Sequence, residues 1–402
     1  MKRLSCNRLF AVLTFAVITA GYAQENSAPN SNSKPISQRV ADRSFPSVFQ
    51  AWNRAENLKE DSETTIARHD LYWHIPEGFG LQWDAVTPGL ATSLKPASIS
   101  SARAHRNRLL ARNPNIILFA EIRYRDAEPT YLPADHPWWR RDAAGNRVPG
   151  WEEGGYFQLN WSNVQFRAHV VAQAKAVIES GVVDGIMLDH WHEEDAGRLA
   201  LVKAVRDAIG PDRLIIVNSS VQRIPKTAPY VNGQFLENCF EPQRGKPCRG
   251  PITPQVWKLL ADALLWAEKN LRPPHVNALE TWFVDSRNEL NRMRATTTLA
   301  LTHSDGYVLF ADPNDLPFLD HLHDWHAFWD FKSLGKPTAP VIKRRDGAFQ
   351  REFSGGTVVY NPQGNRAVTV TFDRPHLSAA SGKISHTFAV DGMDGDLFLH
   401  NR

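Results

Sequence analysis

One stretch constrains this chain more than any other: Val183-Asp184-Gly185-Ile186-Met187-Leu188-Asp189-His190-Trp191-His192. Its apolar part is short, follows Gly181 and ends abruptly in an acid, two histidines and a tryptophan. A run of that kind reads as a strand buried on both faces, and such strands belong to parallel sheets covered by helices. In those folds ligands meet the protein where the strands end at their carboxyl side. Asp189 stands at that point.

The same texture recurs along the chain. Strand candidates are Phe45–Trp52, Asp70–His74, Ile116–Tyr124, Leu214–Asn218, Gly233–Glu237, Val276–Trp282 and Gly306–Asp312, besides the stretch around Asp189. Helical spacing falls between most of them, over Ser100–Arg112, Gln165–Ser180, Ala196–Ile209, Pro254–Leu271 and Asn288–Leu301. A last helix is expected to carry Leu319, Leu322, Trp325, Phe328 and Trp329. Asp195 is placed to cap the helix after the Asp189 strand, and Gly210 to stop it. Eight strands alternating with helices predict a (β/α)8 TIM barrel over residues 45–336. An open doubly wound sheet is the runner-up, weakened by the lack of a glycine-rich phosphate loop. After Pro337 the pattern turns to β-hairpins: Phe349–Phe353 and Thr357–Asn361 flank Ser354-Gly355-Gly356, and Ala367–Phe372 alternates. Residues 337–402 are therefore expected to form a small antiparallel β domain.

The N-terminus has the marks of an export signal. Lys2, Arg3 and Arg8 precede an apolar run from Leu9 to Ala20, and Gly21-Tyr22-Ala23 offers a small-residue cleavage site. Residues 1–23 read as a signal peptide, 24–44 as a disordered leader rich in Ser, Asn, Gln and Pro, and the mature chain as periplasmic or secreted. Losing Lys2, Arg3 and Arg8 brings the 46 basic residues level with the 43 acidic ones. A balanced charge gives no footprint for a nucleic-acid partner. Two cysteines remain, Cys239 and Cys248; a bridge closing the loop between them and a pair of free thiols both fit an exported protein.

What stands at the strand ends carries the chemistry. Asp189, Glu237 and Glu280 each follow an apolar strand and are the candidate catalytic carboxylates. Asp70, Trp73, Glu121, Tyr124, Trp191, His192, Asn218, Trp282 and Asp312 are the candidate substrate-binding residues. A mouth ringed by acids and aromatic rings suits sugar chemistry. One carboxylic acid protonates the leaving oxygen, a second carboxylate attacks or activates water, and ring faces pack on sugar C–H groups. The 13 tryptophans fit that reading, and the excursion over residues 126–163 with Trp138, Trp139 and Trp151 reads as a functional loop. His190 and His192 have H-x-H spacing, which on a strand would turn both to one face; without further ligands a metal-dependent hydrolase or deacetylase is the weaker alternative. The main reading needs no cofactor and no metal. A non-catalytic carbohydrate-binding barrel is the alternative from another class.

The segments Ala120–Tyr124 and Asp184–Asp189 and the end of the Glu237 strand resemble the hypothetical glycosyl hydrolase family 15 group. More distantly they resemble the endo-polygalactosaminidase barrels. The resemblance spans residues 45–400 and includes the terminal β domain. It implies a (β/α)8 barrel acting on polysaccharide or oligosaccharide. By the pattern of the polygalactosaminidase-like barrels, the acid ending strand four and the acid ending strand six form the catalytic pair; here these are Asp189 and Glu237.

Overall fold

A computed structural model describes residues 34–152, 154–239, 242–243, 246–247, 252–282, 288–311 and 321–401. The predicted signal peptide, Cys248 and Asp312 lie outside the described residues. No helix among those described is long and apolar enough to cross a membrane.

Eight strands form one parallel sheet in chain order: β1 (Phe49–Ala51), β2 (Leu71–His74), β3 (Ile117–Glu121), β4 (Gly185–Leu188), β5 (Leu214–Asn218), β6 (Gly233–Cys239), β7 (Ala278–Trp282) and β8 (Tyr307–Ala311). The ring closes where Val308 N–H donates to the Ser47 carbonyl at 2.9 Å and Val48 bridges Val308. This is a (β/α)8-type barrel, as expected. Every residue of β3, β4 and β5 is buried, and the side chains divide by parity. Leu71, Trp73, Ile117, Phe119, Met187, Leu214 and Ile216 fill one core cluster, inside the barrel. Tyr72, Leu118, Ala120, Ile186, Leu188, Ile215 and Val217 fill another, beneath the helices. The interior is closed by aromatic packing: Trp73 lies 4.8 Å from Phe49 and 4.8 Å from Phe235. Gly185 makes room for this filling, since a Cβ there would come within 2.5 Å of the Phe119 ring.

Among the described residues seven α-helices accompany the strands: α1 (Ile36–Asp42), α2 (Ser62–Ala67), α3 (Pro96–Arg112), α4 (Val164–Glu179), α5 (Ala196–Ile209), α6 (Pro254–Asn270) and α7 (Leu290–His303). Asp195 caps α5 through the Gly197 and Arg198 amides, as its position predicts. Two expectations need correcting. The leader was expected to stay irregular to residue 44, yet α1 forms and seats Arg39 under the barrel, on the Ile116 carbonyl at 2.6 Å and on the Asp184 carboxylate. The helix expected around Trp325 is instead two short 3₁₀ turns, Ala327–Asp330 and Lys332–Leu334. A 3₁₀ turn, Ala228–Tyr230, likewise replaces the helix between β5 and β6.

Six antiparallel strands follow: β9 (Ile342–Lys343), β10 (Phe349–Phe353), β11 (Gly356–Asn361), β12 (Val368–Ser378), β13 (Ile384–Val390) and β14 (Asp394–His400), in the order β9-β10-β11-β14-β12-β13. This sheet packs against α7. Arg294 of α7 grips Asp394 with two bonds of 2.8 and 2.7 Å, and Val358, Tyr360, Leu397 and Leu399 join the main core. Consequently α7 is buried continuously from Ala295 to His303. Its threonines are accommodated because Thr297, Thr298 and Thr302 return their hydroxyls to helix carbonyls at 2.7–2.9 Å.

Candidate active site

The inward parity that fills the barrel also aims the polar side chains at its mouth. Moving up each strand by two residues, Phe119 is followed by Glu121, Met187 by Asp189, Ile216 by Asn218, Phe235 by Glu237 and Ala278 by Glu280. These five residues converge.

Asn218 is the pivot. It is buried, and its amide nitrogen donates to Asp189 Oδ1 at 2.8 Å and to Glu237 Oε2 at 2.6 Å. Its own carbonyl oxygen accepts from Ser220 N–H at 3.3 Å, which fixes which way the amide faces. The Asp189 side chain keeps 19% of its surface exposed and that of Glu237 keeps 28%, so both carboxylates reach the mouth. Burial opposes ionisation of Asp189. The His190 imidazole at 3.4 Å, the Asn218 amide and the His190 backbone N–H outweigh it and hold the carboxyl below its ordinary range.

Glu121 sits behind Asp189. It accepts from Trp52 Nε1 at 2.8 Å and from Arg123 at 2.5 Å. Burial pushes its carboxyl up to about 7; the charge of Asp189 adds to the rise, while Arg123 and the Trp52 N–H work against it. Arg123 also donates to the Tyr156 hydroxyl at 3.4 Å, and Trp151 meets the Tyr156 ring edge-on at 5.2 Å. The excursion over 126–163 therefore reaches the site through Tyr156. Trp139 is buried, with its indole on the Pro133 carbonyl at 2.9 Å, and Trp138 packs on Phe166 and His169.

Glu280 is fully buried, and its Oε2 lies 2.8 Å from Nδ1 of His321, whose Nε2 is 3.9 Å from Glu237 Oε1. The sequence reading missed His321. It lies after β8, off any strand end, so the strand-end rule could not find it. Trp52, whose indole reaches Glu121, was missed too; it directly follows the first predicted strand's apolar core, and that was its only signal.

Several expected substrate contacts lie elsewhere. Asp70 directly precedes β2, so it sits at the opposite end of the barrel, held by Ser47 at 3.2 Å, Asn113 at 3.3 Å and Lys332 at 3.3 Å. Trp73 is sealed in the barrel interior. Tyr124 is buried, with its hydroxyl on the His190 carbonyl at 3.1 Å and on Arg198 at 3.3 Å. Trp191 is buried too, its indole on Thr227 at 3.0 Å. It does not continue the strand's alternation because β4 ends at Leu188 and His190 takes a left-handed φ of 52°. That turn also removes the premise that His190 and His192 share a strand face; their rings meet edge-on at 5.8 Å. Among the described residues no cluster of three His, Cys, Asp or Glu side chains is arranged to hold a metal ion. Trp282 ends β7 but is buried as well, with His321 edge-on to its ring at 4.6 Å.

No family model matches this chain, and no curated protein does. Solved structures do match. A maltogenic α-amylase from Thermotoga neapolitana superposes with a TM-score of 0.52 at 12% identity, over 88% of this chain and 99% of its own. A protein from Thermus thermophilus gives 0.53 at 12% identity over 89% and 98%. An α-amylase from Geobacillus thermoleovorans, solved in complex with acarbose, gives 0.50 at 11% identity over 89% and 98%. What they share with this chain is the fold. It is a (β/α)8-type barrel followed by an antiparallel β sheet.

Proposed function

We propose that this chain is an exported glycoside hydrolase that cleaves a polysaccharide or oligosaccharide with Asp189 and Glu237 as its two carboxylates. The observation that carries the reading is the Asn218 amide nitrogen, 2.8 Å from one carboxylate and 2.6 Å from the other. The two oxygens it binds cannot be farther apart than those two distances laid end to end. That closeness supports a pair spaced like the carboxylates of retaining glycosidases, roughly 5–5.5 Å apart. Asp189, held ionised, is suited to attack the anomeric carbon. Glu237 then serves as acid in the first step and base in the second. Arg123 steadies the charge of Asp189 from behind, and Tyr156 and Trp52 offer ring surface around the mouth.

Fold likeness to α-amylases supports glycoside chemistry in general. The finer resemblance to polygalactosaminidase-like barrels belongs to this proposal as well: its pairing of acids ending strands four and six is met at Asp189 and Glu237. Export rests on Lys2, Arg3, Arg8 and the apolar run that follows them.

The test is reducing-end release from a panel of polysaccharides, α-glucans and galactosamine-rich polymers included, with Asp189→Asn and Glu237→Gln alongside. Release by the parent that both variants lose is the expected result. Binding without release by the parent overturns the reading in favour of a carbohydrate-binding barrel.

A further inference from the structure

Glu280 lies toward the C-terminal end of a barrel strand, as Asp189 and Glu237 do, yet it has no exposed surface. A fully buried carboxylate meets no sugar. Its Oε2 instead lies 2.8 Å from His321 Nδ1. A carboxylate only accepts hydrogen bonds, so this contact places the proton of the imidazole on Nδ1 and turns Nε2 outward. Nε2 then faces Glu237 Oε1 at 3.9 Å, a gap that a small rotation of either side chain closes when a site tightens on its ligand.

The imidazole is built into this position. His321 takes a left-handed φ of 57°, a conformation that a residue with a Cβ keeps only where its surroundings impose it. Trp52 lies 4.6 Å from its ring on one side and Trp282, edge-on, 4.6 Å away on another. Its carbonyl accepts from His323 Nδ1 at 3.2 Å, and His323 in turn meets His69, beside α2, at 3.0 Å. The charged and titratable groups around His321 among the described residues are thus Glu280 on β7, Glu237 on β6, the His323–His69 pair, and Glu121 with Arg123 beyond Trp52.

We propose that Glu280 and His321 form a positioning pair that sets the proton on Glu237, and that Glu280 acts only through the imidazole. The proposal rests on the reading of Glu237 as acid and base. In the first step Glu237 gives its O–H proton to the leaving oxygen as the glycosidic bond breaks and Asp189 bonds to the anomeric carbon. In the second it takes a proton from the water whose oxygen displaces Asp189. His321 gains and loses nothing over the cycle. Its Nε2 accepts the O–H of Glu237 while that acid holds its proton, and regains this contact when Glu237 takes the proton of the water. One carboxylate thereby serves as donor and acceptor in turn.

Nitrogen-15 imidazole NMR of the full chain tests this without any substrate, with the His321 signal identified by its loss in His321→Gln. The expected spectrum shows the Nδ1–H form, with a titration midpoint that falls by about one pH unit or more in Glu237→Gln, where the facing negative charge is gone. Glu280→Gln lowers the midpoint further, and Glu280→Asp partly restores it. An Nε2–H form, or one midpoint shared by the parent and Glu237→Gln, overturns the pair. On a hydrolysed glycan, Glu280→Gln is expected to move the pH profile of kcat while KM stays within about twofold, which loss of fold alone would not do. A parent that hydrolyses no glycan refutes the proposed function and leaves the NMR result to judge the pair by itself.

Discussion

Asp184 and Asp189 flank the same strand, and the barrel treats them in opposite ways. Asp184, just before β4, is wholly buried and saturated: Arg39 and Arg106 hold one oxygen, the latter at 2.6 Å, and the Leu118 amide donates to the other at 3.0 Å. Burial disfavours its charge, but the two guanidinium groups outweigh that and hold its carboxyl down at about 2. Asp189, just after β4, keeps open surface and shares the single Asn218 amide with a second acid. One end of the strand neutralises its acid and the other leaves it available. The same residue type is thus spent on ion pairing at one end of a barrel strand and left accessible at the other.

Four substitutions sharpen or break that contrast. Asp189→Asn is expected to lower kcat by on the order of 10⁴ with an unchanged melting temperature; a stability loss with activity intact would dissolve the distinction. Asp184→Ala leaves two buried guanidinium groups without their anion and is expected to cost about 3–5 kcal/mol in denaturant unfolding, with kcat per folded molecule unchanged. Asn218→Ala removes the donor between the two carboxylates, and its expected effect is a drop of about 10²-fold in kcat with little change in unfolding midpoint. The smallest effect lies in acid. The folded pKa of Asp184 is about 2, below its unfolded value, so its contribution is complete above about pH 4 and is lost as pH falls toward 2. That loss amounts to about 2 kcal/mol, and an Asp184→Asn protein should show a correspondingly flatter acid limb in its unfolding free energy.

Much of this contrast was legible in the sequence, for physical reasons. A buried strand alternates between barrel interior and helix layer, so a polar residue two positions past an inward apolar one points toward the mouth. Glu121, Asp189, Asn218, Glu237 and Glu280 all obey that rule. Burial by later segments was not legible. Trp73, Tyr124 and Trp191 looked like sugar platforms because an aromatic ring has the same composition whether it faces a ligand or a neighbour. The helix α1 reads as polar leader because its anchor, Arg39, has meaning only beside Asp184. His321 was invisible because it reaches the site from a loop.

The burial of α7 on every side from Ala295 to His303 has a bearing on how this protein can be taken apart. A helix whose exposed face has been traded for Ala, Leu and self-satisfied Thr has nothing to show to water. The C-terminal sheet is therefore its lid, not a passenger. Cutting the chain near Pro337 would uncover a sticky seam and give an insoluble barrel, so the two parts must be expressed, engineered and exchanged between relatives as one piece.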